Sequence, residues 1–199
     1  MPFPPLFVCS KAYLAKQLNI CSSIQPPIQS VIRKGKKGTK FFKGLAAKGK
    51  TSTGWFFGLK LHMIFNTRGE IVSLVITPGN KDDRSPVRRM VKDLMGKLIG
   101  DKGYISKKLF EDLFAGGIKL ITRIRKNMKN CLMDTTDKLM LMRRSFIETI
   151  FSSIKSVNTF VHTRHRSPTN AFAHLIAGLI NYQLRDDKPS LESVVKLNP

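Results

Sequence analysis

Thirteen carboxylates are scattered through 199 residues that also hold 35 lysines and arginines, and two of them stand where they could do chemistry. Asp101 ends a short apolar run, Lys97-Leu98-Ile99-Gly100, and is followed by Lys102-Gly103-Tyr104. An acid at the end of a buried strand projects into the crevice where α/β proteins bind their ligands. The same spacing also suits an aspartate that caps a turn, and both readings stand. Glu148 lies in Arg143-Arg144-Ser145-Phe146-Ile147-Glu148-Thr149-Ile150-Phe151. On a helix Arg144 and Glu148 are i, i+4, and Phe151 and Lys155 continue roughly the same face. The plain alternative is a surface Arg–Glu pair worth only about a few tenths of a kcal/mol. Carboxylates that converge hold divalent metal through oxygen, the arrangement that cleaves phosphodiesters. One ion activates a water or 3′-hydroxyl, and a second stabilises the leaving oxygen.

The elements that must position these acids begin at residue 55. Trp55 to Phe65 is rich in aromatic and branched residues and predicts a strand. Thr67-Arg68-Gly69-Glu70 is a turn, and Ile71 to Thr77 is the returning strand, stopped by Pro78-Gly79-Asn80. Ser85-Pro86 predicts a helix start, with the helix reaching about Met95. Lys97 to Asp101 is a short strand. Ser106 caps a helix closed by Gly116-Gly117, and Ile118 to Thr122 is a further buried strand. A basic loop follows, then an amphipathic helix over roughly Asp137 to Val157 and a last one near Thr169 to Tyr182. Strands and helices in this order predict an α/β layered sheet. The order is that of a ribonuclease-H-like domain with its first strand missing.

Charge narrows the class of partner. The formal net charge is +22, and the first acid in the chain is Glu70, after twelve basic groups. Such an excess disfavours a neutral metabolic enzyme and favours an anionic polymer, nucleic acid first and acidic membrane second. No membrane segment is expected: the apolar run Phe172 to Ile180 is too short to span and contains His174, and Pro2, Pro4 and Pro5 break any signal-peptide helix. Cys9, Cys21 and Cys131 are odd in number with no CxxC pair, which fits a reduced cytoplasmic protein and neither a disulfide framework nor a zinc site. Residues 31–50 carry eight basic groups and four glycines and read as a solvated basic arm or a phosphate-contacting one. The run Trp55-Phe56-Phe57 reads as core rather than as a base-stacking platform. Lys60 and His62 share one strand face, suited either to DNA or to a half-exposed position. Arg123, Arg125, Lys126, Lys129, Arg164 and Arg166 suit phosphate contacts, whereas His162 and His165 lack ligand spacing to any acid cluster.

Four stretches, in unbroken order, resemble the DDE transposases of bacterial insertion sequences. They are Thr53-Gly54-Trp55-Phe56-Phe57-Gly58-Leu59-Lys60-Leu61-His62, Thr77-Pro78-Gly79-Asn80-Lys81-Asp82-Asp83, Gly100-Asp101-Lys102-Gly103-Tyr104-Ile105 and Thr163-Arg164-His165-Arg166-Ser167-Pro168. The resemblance covers about residues 41–185 and implies a ribonuclease-H-like mixed sheet flanked by helices. It makes Asp101 the second metal-binding acid. A helical signature Tyr-x2-Arg-x3-Glu-x6-Lys falls on Arg144, Glu148 and Lys155, so Glu148 is the third acid, with Leu141 in place of the tyrosine. The implied cofactor is a Mg²⁺ pair. The implied partners are DNA, as element ends and target, and a second copy of the chain as a homodimer.

The first acid of the family, in an Asp-Ser-Thr context upstream, has no counterpart. That neighbourhood reads Cys21-Ser22-Ser23-Ile24-Gln25-Pro26-Pro27. The expectation is therefore a truncated or frameshifted transposase. It has a poorly structured segment at 1–40 without family resemblance, a partial catalytic domain at 41–185 and a tail at 186–199. Its hairpin edge would be left unpaired, and strand cleavage and transfer would be inactive for want of one ligand. The rival from another class is a non-catalytic basic DNA- or RNA-binding protein.

Overall fold

A computed structural model describes residues 19–24 (backbone only), 42–51, 54–123, 134–142, 145–158 and 167–190. The strands are β1 (Asn19–Ile24), β2 (Ala47–Thr51), β3 (Gly54–Phe65), β4 (Ile71–Pro78), β5 (Gly96–Gly100) and β6 (Ile118–Thr122). The helices are α1 (Val87–Met90), α2 (Lys107–Ala115), α3 (Thr135–Met142), α4 (Ser145–Asn158) and α5 (Pro168–Leu184).

The first strand is present, which corrects the expectation that it is missing. β1 pairs antiparallel with β3, Cys21 opposite Phe65, and parallel with β5, Cys21 opposite Ile99. β4 lies on β3, and β6 runs parallel to β5 with Lys97 opposite Lys119. The order β4-β3-β1-β5-β6 is the ribonuclease-H-like one, antiparallel on one side of β1 and parallel on the other. β2 adds a short antiparallel hairpin to the start of β3. β1 escapes a sequence reading because Asn-Ile-Cys-Ser-Ser-Ile has no period of two; its place comes from neighbours on both sides.

Two apolar layers cover the sheet. Leu61, Met63, Phe65, Ile99 and Ile121 pack under Phe146, Ile150, Phe151 and Ile154 of α4 and Leu175, Leu179 and Tyr182 of α5. On the other face Ile64, Val75, Leu98 and Leu120 meet Val87 and Met90 of α1 and Leu109 and Leu113 of α2. A third group, Phe42 with Ala171, Ala46 and Phe57, ties the turn at 42–45 to α5. The C-terminal end of α5 is fastened to the β3–β4 turn. The Tyr182 hydroxyl donates to the Gly69 carbonyl at 2.7 Å, and the Ile71 amide donates to Gln183 Oε1 at 2.9 Å.

Two helices differ from expectation. The one expected from Ser85 to Met95 is only four residues long. The Ser85 hydroxyl donates to the Asp82 carbonyl instead of capping, and the helix already ends at Val91, which leaves helical conformation at φ −103°, ψ 4°. The one expected over Asp137–Val157 is two helices, α3 and α4, because each is attached separately. α4 inserts its apolar face into the core. α3 is held by Asp137, which is fully buried and accepts from Lys97 Nζ at 2.7 Å and Lys119 Nζ at 2.6 Å. Among the described residues no helix is long and apolar enough to cross a membrane.

Hydrogen bonds from Lys119 and then Lys97 hold the Asp137 carboxyl below its ordinary range. A lowered acid stabilises the fold fully above the unfolded value near pH 4, and that contribution is lost as pH falls through the folded value. Asp137→Asn should destabilise by about 1–3 kcal/mol, less than a fully buried pair, because Lys119 is half exposed. The loss should be present at pH 7 and shrink toward pH 2 in paired urea titrations.

Candidate active site

Asp101 follows β5 directly, in extended conformation (φ −78°, ψ 168°), and caps the 3₁₀ turn Lys102–Tyr104, its Oδ1 accepting from the Lys102 amide at 2.7 Å. The Tyr104 amide donates to the Asp101 carbonyl at 3.0 Å, and the Tyr104 ring packs against Gly100, where a Cβ would meet it at 3.2 Å. The two sequence readings of this residue are thus compatible: it is a capping aspartate, and it is exposed at a strand end. Successive strand residues face opposite sides. Leu98 joins the layer of α1 and α2, Ile99 the layer of α4 and α5, and Asp101 follows just beyond the end of the strand.

Glu148 lies in the first turn of α4, exposed, while Phe146, Ile147, Ile150 and Phe151 around it are buried. One turn on, the Phe151 ring meets Phe65 edge-on at 5.6 Å between centroids, and Phe65 is the register partner of Cys21. That contact holds α4 against the sheet beside the β1–β3 pair. Lys155 is exposed two turns further along α4. Phe151 belongs to the core, so the face shared with Glu148 and Lys155 is apolar at its centre.

Asp101 and Glu148 offer the hard oxygen ligands that Mg²⁺ prefers. In number they do not fit a metal pair. Among the described residues no three of His, Cys, Asp and Glu come together, and the strand between β3 and β5 carries Cys21-Ser22-Ser23.

The opposite face holds a polar group that the sequence suggested only in part. Lys60 was an expected DNA contact. Its ammonium is instead taken up inside, donating to Asp83 Oδ1 and the Lys81 carbonyl at 2.8 Å each, with the side chain 13% exposed. His62, expected to be half exposed, is fully buried beside Thr77, Nε2 and Oγ1 standing 2.8 Å apart. His62 Nδ1 and the Tyr104 hydroxyl are both buried with no partner among the described residues, and both residues line a small pocket with Asp83, Val87 and Met90. Tyr104, in the turn that Asp101 caps, thus shares a pocket with His62 and Asp83. The motifs Leu-Lys-Leu-His, Asn-Lys-Asp-Asp and Asp-Lys-Gly-Tyr were visible separately; that they meet was not.

Of the expected phosphate contacts, Arg123 is exposed, with a guanidinium nitrogen 3.5 Å from the Leu141 carbonyl. Arg144, Arg125, Lys126, Arg164 and Arg166 lie outside the described residues. Trp55, read as core, is 59% exposed, whereas Phe56 is buried.

The sequence matches the family described as transposase DDE domain over residues 10–168, so the match begins ahead of the boundary near 41 that the motifs gave. Among solved structures, the chain resembles a piggyBac transposase synaptic complex with hairpin DNA. The TM-score is 0.53 at 8% identity, over 80% of this chain and 44% of that one. It thus spans less than half of that relative, and the likeness is one of fold. A simian T-cell lymphotropic virus intasome, bound to a phosphatase regulatory subunit, aligns at a TM-score of 0.37 and 12% identity. That alignment covers 88% of this chain and 54% of that one, and it carries no argument. No curated protein matches.

Burial of His62 sets a pH dependence that a melt can read. Desolvation lowers its pKa from the ordinary 6.5, opposed by the Asp83 charge and aided by that of Lys60. The folded state therefore favours the neutral ring. Stability should be full above about pH 6.5, decline as the unfolded chain takes up its proton, and level off below the lowered folded value. Subtracting the His62→Phe melting curve from the parent's between pH 4 and 8 should expose that decline; parallel curves would contradict it.

Proposed function

We propose, since this chain belongs to the transposase DDE-domain family, that it binds DNA as the strand-cleaving core of an insertion-sequence transposase and lacks one acid of the metal site. The observation that supports this reading is the place of Asp101 directly after β5, the neighbour of the central strand, with Glu148 in the first turn of a helix that Phe151 packs onto Phe65 of the same sheet. DDE domains act with divalent metal. Here Asp101 and Glu148 are the second and third ligands, and Cys21 occupies the place of the first. A neutral thiol is a poor partner for Mg²⁺ and removes one negative charge where two cations must be held. Cleavage by the chain as it stands is therefore slow, and DNA binding is its surviving activity. Mg²⁺ as the metal, the cytoplasm as its compartment and a homodimer on paired ends go with this reading.

Arg123 and Lys155, with Arg144, Arg125, Lys126, Arg164 and Arg166, form the phosphate-contacting set. Binding by such a set falls steeply with salt, because each neutralised phosphate releases a counterion. Lys155→Ala should weaken binding to all sequences alike and reduce the logarithmic salt slope by about 1. Salt-independent binding would remove the electrostatic part of the proposal.

The second reading, a non-catalytic DNA- or RNA-binding protein, is favoured by the same shortage of acids. Restoring the acid separates the two. With supercoiled plasmid and Mg²⁺, the parent should nick near background. Cys21→Asp should raise nicking by at least about tenfold, and Asp101→Asn or Glu148→Gln added to it should abolish the gain. A gain that survives loss of Asp101, or none in a Cys21→Asp variant that folds and still binds DNA, favours the pure binder.

A further inference from the structure

We infer that Trp55, at the outer end of the β2–β3 hairpin, is a stacking platform for an unpaired nucleobase, with Lys48 and Lys50 as its phosphate clamps. The inference rests on the DNA-binding reading above and gives it a place and a form of nucleic acid.

The hairpin has two unlike faces. Register pairs Lys50 with Trp55 and Lys48 with Phe57 on one face, and Gly49 with Phe56 on the other. The Gly49 face is pressed into the molecule. A Cβ there would stand 2.3 Å from the Gly79 carbonyl oxygen and 2.6 Å from the Phe56 ring, and a Cβ on Gly79 would stand 2.6 Å from the Ala47 carbonyl oxygen. This close backbone approach, possible only with glycine on both sides, anchors the hairpin against the end of β4. On the other face Phe57 packs against the Phe42–Ala171 cluster, and the outer end of the hairpin is open. There Lys48 and Lys50 place their ammonium groups 4.8 Å and 5.7 Å from the centroid of the Trp55 ring, so the cations order the indole without covering it: it remains 59% exposed.

An exposed tryptophan flanked by two lysines on a rigid hairpin suits one partner best. The indole face stacks a flat ring, and the lysines favour an anion on either side of it, which together describe one nucleotide of a single strand. In a duplex the faces of the bases are already stacked, so this platform takes unpaired nucleotides. No acid precedes Glu70 to repel a phosphate backbone. An anionic lipid surface offers the same charge but needs a contiguous apolar face, and here the residues across the hairpin from the indole, Lys48 and Lys50, are charged.

Trp55 is the sole tryptophan in the chain, so its emission reports on this site alone. The full chain is titrated with a single-stranded oligothymidylate 20-mer, with a blunt duplex of equal length and with phosphatidylserine vesicles. Anisotropy of labelled DNA is followed in parallel. The single strand should quench Trp55, the duplex should bind with little quenching, and vesicles should leave the emission unshifted. Trp55→Ala should weaken single-strand binding about 5- to 150-fold while duplex affinity stays within about twofold, and Trp55→Phe should recover most of the loss. Emission that stays constant while anisotropy reports saturation by the single strand overturns the platform and leaves DNA binding intact. So does an equal loss for both DNA forms in Trp55→Ala. A blue shift with vesicles and none with DNA transfers the hairpin to a membrane, and failure to bind either DNA removes this inference together with the reading it rests on.

Discussion

The insertion of β1 between β3 and β5 is the constraint on which the rest of the structure depends. A β3–β4 hairpin alone is antiparallel, and β5 and β6 alone are a parallel pair. Only a strand that pairs antiparallel on one edge and parallel on the other joins them into one sheet. Once joined, Phe65 and Ile99 lie on the same side at the same level, and α4 has a continuous apolar floor on which to settle. The place of the Glu148 turn follows from that floor.

The molecule divides its polar chemistry between two faces and an arm. Asp101 after β5 and Glu148 at the start of α4 are exposed. On the α1–α2 side Lys60 is paired with Asp83 and His62 with Thr77, and His62, Asp83 and Tyr104 line one small pocket. The β2–β3 hairpin stands apart from both, held by backbone contact and free to present its lysines and indole. The positive charge thus acts in distinct ways: in ion pairs that hold the fold at Lys60, Lys97 and Lys119, and toward solvent at Lys48, Lys50 and Lys155.

A conventional ion pair also shapes the third layer. Lys97 and Lys119 are register neighbours on parallel strands, and two like charges side by side repel. Asp137 sits between them, and the repulsion becomes the attachment of α3 to the sheet. The helix that begins at Thr135 is therefore fixed by electrostatics at one end of the sheet, and α4 by aromatic packing at the other.

The hairpin from Trp55 to Thr77, the short strands at 97–101 and 118–122, the Ser106 cap and the helix near 169–182 were legible in the sequence, because periodicity, glycine and capping residues are local signals. So were the strand-end position of Asp101 and the helical position of Glu148, since both depend on residues within a few positions. β1 was not legible: six residues of mixed polarity become a central strand only because partners 40 and 75 residues or more away supply its hydrogen bonds. Nor was the burial of Asp137 and His62 or the exposure of Trp55, where type alone points the other way. Local sequence determined which segments were strands and helices and which acids ended them. Tertiary structure decided which charges were neutralised and which aromatic was left outside, because those outcomes depend on what another part of the chain brings to the same place.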